Sequence, residues 1–500
     1  MGGIHIPLYG IVTTGARVGV ERACRNARLV AASVLQIRAT RGAHQKETAM
    51  PNSGISQTIQ EEARELRVVD EADVLVVGGG PAGIGAALAA ARSGARTILV
   101  ERYGHLGGMA TGGLVILLPH LSDGSARQDI MGISQEWIER LDRVGGAIHP
   151  DSSELGNSDA ASIEKWRHYF SCVVNDRIRQ SVYVDPELLK CVLNDMVEEA
   201  GIKLYLHSWG CRALSEGGRV SGVVFESKEG RQAIRAKVTI DGTGDGDVMA
   251  TAGAAFEGGY DVEDRSAMLA VVFRLGNVDF RSFSVWRDGH AEEWKAVQER
   301  IFALGNFRLA PFPTPRNDVM WVNNWVPGRS CMNVGDLTWT EINVRKAMRG
   351  TQAILSKDVP GFRDCFILDT ASQLGTRGSR RLTGEHRLTL KEVSDAQAFS
   401  DVIAVLPSLR PSGKNGIQVP YRTLVPREVE GLLVAGRCFS SDGPANNLTN
   451  LIPHCIATGQ AAGTAAALAL GAGVSVRKID VRALQRNLRG QGVPLPDGAG

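Results

Sequence analysis

The chain has 500 residues, with 56 Lys and Arg against 54 Asp and Glu and a formal net charge of +2. That length allows two or three domains and a large core, and the near-balance of charge gives no electrostatic footprint for nucleic acid or an anionic membrane. Its eight cysteines are scattered with no C-x-x-C pair, which argues against iron–sulfur clusters, structural zinc and a dithiol motif and fits reduced thiols in a cytosol.

The first segment differs from the rest. Arg17, Arg22, Arg25, Arg28, Arg38 and Arg41 stand against Glu21 alone before Glu47. This pattern reads as a disordered basic arm, as an Arg-rich transit peptide, or as an overlong start with Met50 the working one. The preponderance of Arg over Lys and the abundant Ala and Gly suit GC-rich bacterial coding and favour the third reading.

Asp73-Val-Leu-Val-Val-Gly78-Gly79-Gly80-Pro81-Ala82-Gly83 follows. The apolar run Val74 to Val77 predicts a parallel strand buried on both faces. The glycines then have separate uses: Gly78 for the tight turn, Gly80 for close approach to a pyrophosphate, Gly83 for close helix packing. Small residues at Gly83, Ala86, Ala87 and Ala90 predict a helix lying close on the sheet. A second strand, Thr97 to Glu101, ends in an acid eighteen residues after Gly83, the position of a carboxylate facing an adenosine ribose. Strand, glycine turn, helix, second strand and acid together predict dinucleotide binding.

Gly104 to Gly113 is a glycine-dense loop, and Asp129 to Gly146 carries Ile133, Trp137, Ile138 and Leu141 at helical spacing. A helix is predicted over Pro186–Ala200 and strands over 201–207, 219–225 and 232–240. From Phe256 to about Arg410 aromatics and prolines cluster, with a helix at Thr340–Lys357. The strand Gly431–Gly436 then leads to a helix over His454–Leu470. Ile456 to Val474 holds no charged residue but is mostly Ala, Gly and Thr, and reads as a buried helix rather than a membrane span. The organisation expected is an arm (1–70), a dinucleotide-binding α/β unit (71–255), a mixed α+β substrate unit (256–414), the returning part of the first unit (415–475) and a tail (476–500).

These segments resemble the FAD-dependent oxidoreductases of the glutathione-reductase superfamily, second class, over about residues 70 to 475. The matching pieces include the glycine turn with Glu101, L-G-G-M-A-T from Leu106, I-D-G-T-G-D-G-D from Ile240, G-T-R-G-S-R-R-L-T-G-E-H from Gly375, L-L-V-A-G-R from Leu432 and G-Q-A-A-G-T-A-A-A from Gly459. The resemblance implies a Rossmann-like FAD-binding domain with non-covalent FAD. It would place Gly78, Gly80, Pro81, Ala82 and Gly83 at the pyrophosphate, and Glu101 and Arg102 at the AMP ribose. Gly107, Gly108 and Met109 would lead toward the flavin, with Gly210, Thr243, Gly244 and Asp245 on the adenosine half. Gly436, Arg437, Gln460, Ala461 and Ala462 would meet the ribityl chain and flavin. Asn450 stands where many relatives have Arg, and Gly378 where many have Glu, so relatives' substrate contacts do not carry over at those points.

A flavin performs the redox step, and the protein must hold substrate and move one proton. A base near neutral pKa suggests histidine. His454, just before the flavin-facing helix, is the first choice. His386 with Arg381 is the rival, and Tyr421 is a further proton donor. His105 lies in the glycine loop, but its spacing does not match the histidine attachment of succinate dehydrogenases. Trp321 to Trp325 reads as packing of the second unit. The expected function is a cytosolic FAD-dependent dehydrogenase or oxidase that takes a hydride from a small polar or cyclic substrate and passes electrons to oxygen, a quinone or a carrier. No nucleic acid, membrane span or metal is expected. The alternatives are a fumarate-reductase-like reductase using Arg377, Arg380 and Arg381, and a flavin-binding subunit of an electron-transfer complex.

Overall fold

The structure is a computed structural model that describes residues 58–258, 268–316, 318–407 and 416–496. The basic arm and the choice among its three readings lie outside these residues.

β1 (Arg67–Val77) has its last four residues, Val74 to Val77, buried on both faces. It turns at Gly78 (φ +98°) into α1 (Pro81–Arg92), whose N-cap is Gly80 and whose first residue is Pro81, a residue already set to helical φ. β2 (Thr97–Val100) pairs in parallel with β1, and β3 (Lys203–Tyr205) with β2. β4 (Trp209–Glu216), a strand the sequence pattern does not reveal, forms an antiparallel meander with β5 (Arg219–Ser227) and β6 (Gly230–Asp241). β6 also lies parallel to β1 along nearly its whole length, from Gln232 opposite Arg67 to Asp241 opposite Val77. The sheet order is therefore β3-β2-β1-β6-β5-β4.

The chain then builds a second sheet from β7 (Met268–Ala270) and β8 (Phe273–Gly276), covered by α2 (Ala291–Gly305). β9 (Arg308–Pro313), β10 (Val319–Pro327), β11 (Phe366–Thr370) and β12 (Gly375–Thr376) complete it in the order β11-β8-β10-β7-β12, with β9 on β10. Its own apolar cluster includes Phe273, Phe283, Ile301, Phe307 and Phe362. The helix predicted from Thr340 spans Val334–Asp358, because the Asn333 side chain accepts from Asp336 N–H and starts it a turn and a half earlier.

β13 (Leu432–Val434) rejoins the first sheet parallel to β6, and α3 (Ile452–Ala472) follows. α3 is long and apolar enough to cross a membrane, yet 67% of its apolar stretch is buried inside the protein. It lies against α1 backbone to backbone. A Cβ on Gly459 or Gly463 would fall 2.0 or 2.1 Å from the carbonyl oxygens of Ala82 and Ala86, and one on Gly85 would fall 2.5 Å from that of Ile456. The small residues of α1 thus serve contact with α3 as well as with the sheet.

Candidate functional site

A cavity of about 1970 Å³ runs from the glycine turn to the second sheet. Small-molecule sites are commonly about 300–1,000 Å³, so there is room for a dinucleotide and a further ligand. The two ends are built differently.

At the first end the wall is main chain. Gly78, Gly80, Pro81, Ala82, Gly108, Met109, Gly210, Thr243, Gly244, Gly436 and Arg437 line it, with Glu101 and Arg102. A Cβ on Gly80 would meet no protein atom within 4 Å, so the glycine leaves free space in front of the α1 N-terminus. That terminus offers unpaired N–H groups and a positive dipole end, the donor set a pyrophosphate requires. Gly108 comes within Cβ reach, 2.9 Å, of the Gly80 Cα, and closes the other side. Glu101 is buried; its Oε2 accepts from Gly79 N–H at 2.5 Å and its Oε1 from Tyr103 N–H at 2.8 Å. Burial raises its carboxyl above the usual range despite those two donors. The residues fit FAD in donor chemistry and in room.

Several predicted contacts are instead supports. Gly83 does not line the cavity; a Cβ there would lie 1.6 Å from Gly78 O, so it holds the turn against the helix. Gly107 (φ +89°) lies behind the loop, its N–H bonded to Gly79 O at 2.8 Å. Asp245 also lies outside the lining and pairs with Arg437 at 2.6 Å, while Ser379 Oγ donates to it at 2.8 Å. Burial opposes its ionisation, but the Arg437 charge outweighs that and holds the carboxyl below the usual range. Gln460, Ala461 and Ala462 sit too far along α3. Gln460 Oε1 accepts from Ile133 N–H at 3.0 Å, and the alanines are buried in helix packing. Leu451, Ile452 and Cys455, at the start of that helix, face the cavity in their place.

At the other end the wall is side chains. Phe170, Phe312, Trp321 and Trp325 line it, with Val173, Val174 and Leu309. Phe170 and Phe312 have ring centroids 5.2 Å apart, and Phe312 and Trp321 are 4.9 Å apart. The predicted packing role of the tryptophan run needs correcting. Trp321 joins the apolar core of the first unit rather than that of its own sheet, so it closes the cavity between the two. His120 and Arg179 also line this end.

None of the four predicted catalytic residues is in the lining. His454 is the third residue of α3 rather than a residue before it, and it is 1% exposed. Ile452 and Cys455, three apart, face the cavity, which turns the intervening histidine away from it. Burial pushes its imidazole down to about 3. It is neutral at pH 7 and outside the cavity lining, which is not the profile of a working base. His386 Nε2 is 3.1 Å from Glu392 Oε1 and its ring meets Phe399 edge-on. Arg381 is buried in a strand pair opposite Glu257. The Tyr421 hydroxyl donates to Val476 O at 2.6 Å, and burial raises it far above an ordinary phenol. His105 also lies off the cavity, stacked 5.4 Å from Tyr103. Arg380 pairs with Asp247 at 2.9 Å, and of the arginine trio Arg377 alone is in the lining.

The structure instead brings His120 to the wall, a residue no motif marks. It is 3% exposed and has a left-handed backbone (φ +59°), uncommon outside glycine and a feature of strained functional positions.

A family model described as FAD dependent oxidoreductase matches residues 73–488. Digeranylgeranylglycerophospholipid reductase 1 of Methanopyrus kandleri is 30% identical over 175 residues, which is 35% of this chain and 40% of that protein. The match thus spans well under half of that relative. A geranylgeranyl bacteriochlorophyll reductase-like protein of Thermoplasma acidophilum has a TM-score of 0.45 at 15% identity over 84% of each chain. A p-nitrophenol 4-monooxygenase of Pseudomonas putida has a TM-score of 0.45 at 12% identity over 82% of each. On the family match the chain belongs to the FAD-dependent oxidoreductases, and it is an enzyme with FAD as cofactor.

Proposed function

We propose that this FAD-dependent oxidoreductase, read as a member of the second class of the glutathione-reductase superfamily, takes a hydride equivalent from an organic substrate lodged at the aromatic end of the cavity. The observation that carries the reading is the continuity of one cavity from the glycine cradle to the aromatic wall. When bound, FAD supplies the two-electron redox chemistry. The α1 N-terminus with Gly78, Gly80, Pro81 and Ala82 would hold its pyrophosphate, and Glu101 with Arg102 its ribose. Gly108, Met109, Gly436 and Arg437 would lead it toward the second sheet. Leu451 and Ile452 bring the free N–H groups of the α3 N-terminus to the cavity, where a positive dipole end stabilises negative charge. Phe170, Phe312, Trp321 and Trp325 orient the substrate and exclude water. The electron acceptor is oxygen, a quinone or a carrier.

A second reading, reduction of an activated double bond, is favoured by the partial likeness to the Methanopyrus reductase and by Arg377 in the lining. One experiment separates the two. The yellow protein is mixed without oxygen with a panel of alcohols, amines and cyclic substrates. In parallel, dithionite-reduced protein is mixed with enones and fumarate. Bleaching by a member of the first panel supports hydride abstraction. Recolouring by a member of the second, with no bleaching in the first, replaces that reading with the reductase.

A further inference from the structure

Two imidazoles among the described residues line the cavity, His120 and His168. His168 is half-buried among charged groups: Arg167, Asp288, Glu164 and Arg287 all bear on its ring, and Arg167 pairs with Glu164 at 2.9 Å. His120 is 3% exposed, and two separate neighbours place it between the two ends of the cavity. Its main-chain N–H donates to Ser181 Oγ at 3.1 Å, and that hydroxyl donates at 2.9 Å to the carbonyl of Ser171, the residue after Phe170. The second neighbour is His454, in the first turn of α3, near enough to oppose protonation of the His120 ring. Leu451 and Ile452, at that same helix start, face the cavity. His120 therefore stands between the aromatic wall and the helix end assigned to the cofactor.

The turn itself does not call for histidine. Its backbone is left-handed (φ +59°), a conformation that glycine adopts freely and asparagine tolerates. Main-chain hydrogen bonds hold it there: besides the bond to Ser181, Leu121 N–H donates to Gln180 O at 3.0 Å and Gln180 N–H to Ser122 Oγ at 2.9 Å. None of them uses the imidazole. Nδ1 is sealed without a partner among the described residues, which leaves Nε2 as the nitrogen on the cavity side. Burial, with the Arg179 charge and His454, holds the ring well below the ordinary histidine range, so it is neutral and free to accept. Hydride transfer brings negative charge into the same cavity, and an opposite charge nearby favours the imidazolium as it forms.

We propose that His120 is a catalytic residue, the one that takes the substrate's proton. As a C–H bond of an alcohol or amine gives its hydrogen and electron pair to FAD, the neighbouring O–H or N–H bond gives its proton to His120 Nε2, and a C=O or C=N bond forms. The substrate is oxidised by two electrons, FAD is reduced by the same two, and the proton stays on the imidazole. The proposal rests on the hydride reading of the cavity.

The test is rapid mixing of the FAD-loaded protein, without oxygen, with the alcohol, amine and cyclic panel, benzyl alcohol, benzylamine and cyclohexanol included, read as bleaching of the flavin. His120→Gly and His120→Asn both suit the left-handed backbone, so FAD content and melting temperature should hold in each. With the probe that bleaches the parent, both variants should lose about 10²–10⁴-fold in limiting rate, the usual worth of a general base. The probe concentration for half-maximal bleaching should change by no more than about threefold. Added imidazole, which fits the space vacated in His120→Gly, should restore its rate about tenfold or more and leave the parent unchanged. His168→Gln should stay within a few-fold of the parent. Parent-like rates in both His120 variants, a loss in His168→Gln instead, or a loss in His120→Gly that imidazole does not lift would each overturn the assignment, while bleaching of the parent keeps the hydride reading standing. A parent that no member of the panel bleaches would remove the hydride reading, and this step with it.

Discussion

Around Gly78, Gly80 and Gly108 the cavity wall is main chain, and the useful groups are N–H donors and, at Gly80, the empty space where a Cβ would stand. Around Phe170, Phe312 and Trp321 it is side chain, drawn from a turn at Phe170 and from paired strands of the second sheet, and held by packing. A main-chain wall tolerates little, since an added atom meets backbone, as at Gly78 and Gly108, or enters the cofactor's space, as at Gly80. A side-chain wall can be altered one ring at a time without unmaking the fold. The difference explains how one family can keep a cofactor and vary a substrate.

Four substitutions break or sharpen that contrast. The largest effect is expected for Gly83→Ala, whose methyl would fall 1.6 Å from Gly78 O. Overpacking against backbone costs about 3 kcal/mol or more, and expression should yield no folded yellow protein, checked by size-exclusion chromatography and flavin content. Next, Arg437→Gln leaves Asp245 buried and unpaired. It should destabilise the protein by about 3–5 kcal/mol in denaturant unfolding, against no more than about 1 kcal/mol for an exposed pair such as Arg64–Glu61.

The third concerns pH. His454 titrates near 3 when folded and near its ordinary value of 6.5 when unfolded, so between these values the unfolded chain binds the extra proton. Stability from this group is complete above about pH 6.5 and is lost as pH falls toward 3, at up to about 1.4 kcal/mol per pH unit. His454→Gln should flatten the acid side of the melting curve and leave flavin reduction by substrate within a few-fold of the parent. A large loss of reduction rate would restore it as the base. The smallest effect is at Gly80→Ala. Its methyl meets no protein atom within 4 Å, so the flavin-free melting temperature should not move. FAD affinity should fall about tenfold, near 1.4 kcal/mol, by equilibrium dialysis.

The glycine end was legible because its signals are local and sequential: an apolar run, glycines at fixed offsets and an acid closing the next strand. The organisation of the first sheet followed from the same signals, apart from β4, where Trp209–Glu216 shows no clean alternation of buried and exposed residues. The aromatic end was not legible. His120, the Phe170–Arg179 segment and Phe312 lie far apart in the chain and no spacing connects them; the left-handed backbones at His120 and Ser171 leave no mark in residue type. His454 misled for a related reason. Proximity to a helix start suggested access to the cavity, but on a helix two residues of displacement nearly reverse the facing, and Ile452 lines the cavity where His454 does not.

The central claim is that the main-chain end holds the cofactor and the side-chain end holds the substrate. It is tested most directly by rapid mixing of the FAD-loaded Phe312→Ala and Gly80→Ala proteins, without oxygen, with a substrate that bleaches the parent. The account predicts that Phe312→Ala keeps its full FAD content and needs at least tenfold more substrate to reach half-maximal bleaching. Gly80→Ala, once saturated with added FAD, should show the parent's substrate dependence. If Phe312→Ala instead loses FAD while its substrate dependence stays that of the parent, the two ends of the cavity have been assigned to the wrong ligands.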